Sequence, residues 1–423
     1  MNEAPKIPKQ ALQAQRQTVL AQVRREKKRK KQFIITTTSV LLAFIIFVSS
    51  VRLSPTIANY VAKIPGFEPI VEMISYNKGL KDIMQHEYYE EIGVMVTENN
   101  ITATLVGVIA DETSMLISYE VDAPFDLSKI GLTKIDILQN GEPLDTSHTY
   151  GWFPDEPTKH IEALINATSH EGITYDHKNF DLVLHLDDEN NTVITLPFEL
   201  QQPIAPAKVY PIAETVEVQQ QKFTVNEVAI SPLTTVIDIT VDPTNSMRIL
   251  ALDDLKLIDE NGEEWASIEN GFTATGLLNN GEIRYYMQSN YFRTPKELTL
   301  EIGEIHALPK GQDFIEVDFA KERVLSQPEM VDWQFSVQGK TVTVEADHYE
   351  GEGRTLLFTA YDQHGNEIHS SRETWRDIID EFELYATYTY DEAPYEAPVK
   401  IDINYYPNLI GSKIALPIFS SSR

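Results

Sequence analysis

The sequence contains no cysteine. That excludes a disulfide scaffold, a thiolate metal site, a cysteine nucleophile and a lipidated N-terminal cysteine. It leaves an extracellular location open, since outward-facing domains also fold without disulfides. Recognisable catalytic signatures are missing as well. There is no G-x-S-x-G elbow, no H-E-x-x-H pair and no phosphate loop, so no catalytic, cofactor-binding or metal residues are assigned and a non-enzyme is expected. Basic charge is scarce beyond the first 32 residues. Those residues hold ten basic and two acidic side chains, about +8, and the rest carries about −37. Such an acidic body is repelled by nucleic acid and by anionic lipid. Its plainest role is solubility; gathering divalent cations is the sharper alternative.

Long apolar runs are also rare, with one exception. Phe33 to Val51 reads FIITTTSVLLAFIIFVSSV, nineteen residues without charge between Lys31 and Arg52. As a helix it is roughly 28 Å long, about the thickness of bilayer hydrocarbon. Its hydroxyls can bond back to the preceding turn. Just before it lie Arg24, Arg25, Lys27, Lys28, Arg29, Lys30 and Lys31. The positive-inside rule places this cluster in the cytoplasm and the remainder outside. A cleaved signal peptide is the competing reading; the long preceding segment and the absence of a small-x-small site after Ser50 oppose it. No second apolar run follows, through IALPIFSSSR. The expected topology is a cell-membrane protein crossing once, N-terminus inside.

Within the tail, Ile7, Leu12, Val19, Leu20 and Val23 can line one side of a short helix. Alone such a helix is marginal, and it suits a partner or the membrane face. The chain therefore divides into a basic tail (1–32), a transmembrane helix (33–53), a juxtamembrane helical segment (54–90) and three β units (91–205, 206–326 and 327–423). Ser54-Pro55 is a helix-start signal. Helical spacing recurs in IPGFEPIVEMISYNKG and LKDIMQHEYYEE, whose apolar residues are expected to pack on the first β unit.

From Ile92 the period changes to two. Ile101–Val121 resembles Phe223–Val241 at an offset of 122. LTKIDILQNGEPL resembles LDDLKLIDENGEEW at 121, with Gly141 and Gly262 in turns that require positive φ. The closing strands ITLPFEL and FIEVDFA align at 121, Phe198 to Phe319. A shorter third copy opens at FSVQGKTVTVEA, turns at His364-Gly365 and closes at KIALPIF. Short strands, regular turns and no long helix imply tandem immunoglobulin-like sandwiches. Links are expected at Gln201–Val209 and Ser326–Val331.

Other polar clusters have simpler readings. His170, Asp176 and His177 fit no zinc spacing and read as a polar loop. Asp187-Asp188-Glu189 and Asp253-Asp254 lack the spacing of a calcium loop and read as solvated turns.

Residues Val51–Val121 resemble the domain of unknown function 4179 family, most specifically in IPGFEPIVEMI and GVIADETSMLISY. The stretch Phe223–Ala320 resembles a second uncharacterised immunoglobulin-like domain found with it. The resemblance implies a Gram-positive membrane protein with an outward β domain and no catalytic residues. It also implies a link to extracytoplasmic-function sigma factors, in some members as an anti-sigma or sigma-regulatory protein. The partners so implied are the bilayer, a sigma factor or other cytoplasmic regulator reached through the tail, and an envelope ligand. The 32-residue tail has no helical sigma-binding domain, and a His-x-x-x-Cys-x-x-Cys motif is impossible without cysteine. A sensory or regulatory role is one expectation; an extracellular binding or spacer protein is the other.

Overall fold

The computed structural model describes residues 77–151, 154, 156–266, 276–277, 281–347, 355–368, 370, 372–378, 383–390 and 396–420. The basic cluster, the tail residues Ile7 to Val23 and the stretch Phe33–Val51 lie outside these residues, as does the first of the two juxtamembrane helical stretches up to Tyr76. No helix among the described residues is long and apolar enough to cross a membrane. The chain from residue 90 onward is mainly β.

The first unit follows directly from the period-two pattern. One sheet runs, in spatial order, Glu90–Glu98, Ile101–Ala110, Ser114–Asp122, His160–Thr168 and Ser147–Tyr150. The facing sheet runs Glu142–Pro143, Leu132–Gln139, Asn179–Leu186 and Val193–Glu199. All described pairings are antiparallel. Alternate residues point inward, so Ile101, Ala103 and Leu105 from one sheet meet Leu182, Leu184, Ile194 and Leu196 from the other in one closed core.

The second unit repeats this plan. Its first sheet is Lys208–Val218, Gln221–Ile230, Thr234–Val241, Glu282–Gln288 and Gly276–Leu277. The registers coincide when 120 is added. The ladder of the first unit skips Val106 between Leu105 and Gly107, and that of the second skips Asn226 between Val225 and Glu227. The opening hairpins match as well: Asn99 and Asn100 take positive φ in one, Gln219 and Gln220 in the other. The true offset of these strands is therefore 120, not 122.

The extra residue enters at the next turn. Asn140-Gly141 is a two-residue turn with both φ values positive, +52° and +85°. Gly262, at +77°, instead closes a longer turn in which the Asp259 carboxylate accepts from Asn261 N and Glu263 N, each at 2.8 Å. The third unit uses this second design. Asp362 accepts from His364 N and Asn366 N at 2.8 Å, and Gly365 takes φ +81°.

The closing strands depart from expectation. Val193–Glu199 closes the first unit beside Asn179–Leu186. In the second unit the corresponding partner is Glu297–Pro309, but the strand beside it is Leu409–Ser420, from the end of the chain. Phe314–Asp318, expected to close the second unit, pairs with Val399–Ile403 in the third. The strand expected to close the third unit thus closes the second, and the one expected to close the second lies inside a sheet of the third. Residues 313–403 form a sandwich inserted between the last two strands of the second unit. The division at 326/327 is corrected accordingly, and Ser326–Val331 lies within the third unit, between Arg323–Ser326 and Gln334–Gln338.

The physical reason is reach. Four residues, 310–313, lead from Pro309 to Phe314, and five, 404–408, lead back from Ile403 to Leu409. Arg248 ties both crossings: its Nε lies 2.8 Å from Asp313 Oδ2, and its Nη2 donates to the carbonyls of Asp313 and Ile403. Leu250, Ala251 and Leu308 of the second unit enter the core of the third, beside Trp333 and Tyr405.

Candidate functional site

The described helix, Lys78–Gln85, begins with Asn77 as its cap; the Asn77 side chain accepts from Leu80 N at 3.2 Å. The expected contact with the first β unit comes after the helix, through Tyr88 OH, which donates to Ala110 O; the hydrogen bonds of the helix itself lie elsewhere. It docks on the loop Gln288–Arg293 of the second. Gly79 allows the approach, since a Cβ there would lie 2.8 Å from Ser289 O. Lys78 N donates to Gln288 Oε1 at 3.2 Å, and the His86 ring stacks on Phe292 at 4.6 Å. The decisive contact is an ion pair. Asp82 is 1% exposed and receives Arg293 Nε at 2.6 Å and Nη2 at 2.9 Å. A carboxylate so buried is tolerable only with this two-pronged partner. Gly79 needs flat backbone and Asp82 needs a guanidinium, and this loop supplies both.

A second junction joins the first two units at equivalent turns. Asp111 is fully buried and accepts from Thr113 N, Ser114 N and, across the junction, Leu233 N at 2.9 Å. Burial pushes its carboxyl above the ordinary carboxylate range, against the pull of these donors. Tyr175 OH donates to Asp111 O at 2.7 Å, and Tyr88 OH donates to Ala110 O at 2.9 Å. Burial pushes the Tyr88 phenol up to about 12. These hydroxyls act as fixed hydrogen-bond struts.

The polar clusters singled out from sequence are structural. His170 belongs to the same junction, with its carbonyl accepting from Arg284 and its Nδ1 3.1 Å from Tyr286 OH. The His177 carbonyl accepts from Gln139 Nε2. No group of three or more metal-ligating side chains comes together among the described residues. Asp187 accepts from Gly131 N, and Asp188 closes its turn by accepting from Thr192 N at 2.6 Å. Asp253 faces His306, and Asp254 lies 3.9 Å from Lys256.

The first unit also carries an open groove of about 650 Å³ between its outermost strands, Glu90–Glu98 and Val193–Glu199. Ile92, Val94 and Phe198 line it, and Glu90, Glu91, Asp181 and Glu199 border it; among the described residues no lysine or arginine does. The Glu90 carboxylate is turned toward the following loop, accepting from Gln201 N at 2.7 Å and Gln202 N at 3.1 Å.

The buried pair, Asp111 and the groove were not singled out from sequence. One signal was there: Asp82 interrupts the apolar side of a helix between Gly79 and Ile83, where an acid requires a cationic partner.

Residues 28–123 match the family model of a domain of unknown function, DUF4179. That match bears out the resemblance read from Val51–Val121. Residues 207–327 match a family of unknown function, DUF5643. The DUF4179 match spans the apolar stretch, the docked helix and the strands through Asp122. The DUF5643 match spans most of the second unit and stops inside the third, before the strand that completes the second. No curated protein matches this chain. A solved structure described as the conserved domain protein from Bacillus anthracis is 16% identical, with 56% of this chain and 84% of that chain aligned at a TM-score of 0.37.

Proposed function

We propose that this is a single-pass cell-envelope protein whose β units face outward and whose basic tail reports their state to the cytoplasm. The strand order supports the finer fold reading. Beyond one added N-terminal strand, the first unit pairs its strands as immunoglobulin-type sandwiches do. The topology rests on the uncharged stretch Phe33–Val51 and its basic collar. The resemblance to DUF4179 proteins, with their link to sigma factors, favours a regulatory partner inside.

The observation that carries the sensory reading is the docking of Lys78–Gln85 through Asp82 and Arg293. A spacer needs only a tether at this place. Here the segment between the membrane stretch and the body is fastened to the second unit by a buried ion pair. It is also fastened to the first unit through Tyr88. A change in either unit therefore bears on the one segment that leads to the membrane.

The test separates sensor from spacer. Leu12→Ser, Val19→Ser and Val23→Ser together leave charge and insertion unchanged and remove most of the apolar area a partner could cover. Expression of an envelope-stress or sigma-dependent reporter should change while surface levels stay normal. A reporter unmoved both by this variant and by deletion of the whole protein would favour the spacer.

A further inference from the structure

The groove of the first unit has a counterpart in the second, and the counterpart is filled. Adding 120 carries Glu90 to Tyr210. Phe419 takes the ladder place of Phe198, the former opposite Leu298 and the latter opposite Phe180. In the second unit Tyr210 stacks on Phe419, ring centroids 4.9 Å apart, and the pair covers part of that unit's core. The first unit lacks that cover. Glu90 stands where the tyrosine would be, and its carboxylate is held away by the amides of Gln201 and Gln202. An apolar-lined slot is left open, with carboxylates around it.

We propose that this groove binds a cationic peptide bearing apolar side chains. Charge complementarity selects the occupant. Glu91 and Glu199 are exposed at the rim, Asp181 is half-buried beside them, and no cation among the described residues lines the groove. Steering by such a field favours a basic ligand over a neutral or acidic one. The lining of Ile92, Val94 and Phe198 then discriminates among basic ligands, because a purely polar cation leaves that apolar surface wet. The bulge that skips Ile92 and Gly93 between Glu91 and Val94 bends the outer strand at the groove. The proposal rests on the outward-facing reading only for access to the ligand; binding by purified protein tests it separately from orientation in cells.

The full chain in nanodiscs of zwitterionic lipid, titrated against a fluorescent peptide alternating lysine and leucine, provides the test. Binding should saturate, weaken as salt is raised, and fall roughly tenfold in the double variant Glu91→Gln, Glu199→Gln, two exposed positions whose neutralisation keeps shape and size. A peptide alternating glutamate and leucine should not bind. A lysine–serine peptide should bind at least roughly tenfold more weakly than the lysine–leucine one. Unchanged affinity in the double variant, or equal affinity for the glutamate–leucine peptide, would overturn the proposal. Equal affinity for the lysine–serine peptide would overturn it as well, since an acidic surface alone would then account for the binding.

Discussion

The first and second units share a register over three strands, yet they are completed in different ways. The first is one continuous stretch of chain, closed by Val193–Glu199. The second waits for Leu409–Ser420, with a whole sandwich intervening. The same slot is thus filled once by a neighbour in sequence and once by the far end of the chain. Continuous closure leaves the first unit able to open or fold alone. Insertion makes the second and third one cooperative block, because the third sits between the second unit's last two strands and takes Leu250, Ala251 and Leu308 into its own core.

The largest expected effect breaks that block. Ending the chain after Asn408 removes Ile410 and Leu416, both buried, and the packing of Ile414, Ile418 and Phe419. At about 1.5–3 kcal/mol per buried side chain, the loss is on the order of 5 kcal/mol or more. Hydrogen exchange should accelerate across both the second and third units and stay slow in strands 101–199. Acceleration confined to the second unit would show that the insertion does not couple the two.

Next in size is the helix clamp. Arg293→Met leaves the buried Asp82 carboxylate without its partner and should cost about 3 kcal/mol. The cost should be read locally, as protease sensitivity near Lys78–Gln85 with the third unit unchanged. A variant as resistant as the parent would mean the helix is held by packing alone.

The turn glycines sharpen the comparison between repeats. Gly141→Val and Gly262→Val each force a branched side chain into positive φ, with nothing within 4 Å of the new Cβ at either site. Each should cost about 1–3 kcal/mol by thermal denaturation. One severe and one harmless substitution would show that positive φ is not what constrains both glycines.

The smallest effect is electrostatic. The folded-state pKa of Asp111 lies above the ordinary value of 3.8 because the group is buried. Its contribution to stability is therefore full below pH 3.8 and is lost as the pH rises through the folded value. The protection factor of the Leu233 amide, which donates to Asp111, should fall over that rise and stay level in Asp111→Asn. The equivalent position in the second unit is Ser231, which carries no charge, so the protection factor of the Thr234 amide in that unit's own turn should not share the trend.

Much of this architecture was legible in the sequence, and the misses have a common cause. Alternation marks a strand and turn glycines mark its ends, so the strands and the Gly141, Gly262 and Gly365 turns could be read. Alternation does not say which partner a strand takes. ITLPFEL, FIEVDFA and KIALPIF all satisfy the same two-residue period, and the aligned copies suggested sequential closure. The corrective signal was proline. Pro197 and Pro417 share the pattern I-x-L-P on outermost strands, where a missing amide costs no ladder bond, and FIEVDFA has no proline. The groove was not legible, because it depends on one substitution, Glu90 for Tyr210, between strands about one hundred residues apart in one unit and two hundred in the other. The clamp was legible only in part: Asp82 among apolar neighbours announced a partner, but nothing near it in sequence pointed to Arg293.

The central claim is that the β units face outward from an anchored basic tail. Because the chain has no cysteine, single cysteines can report it without background. Val209, half exposed on the second unit, and Gln17, in the tail, are suitable positions. On intact, wall-stripped cells a membrane-impermeant maleimide should label Val209→Cys and leave Gln17→Cys unlabelled until the membrane is opened. Labelling of Gln17→Cys with protection of Val209→Cys, or equal labelling of both, would contradict the account.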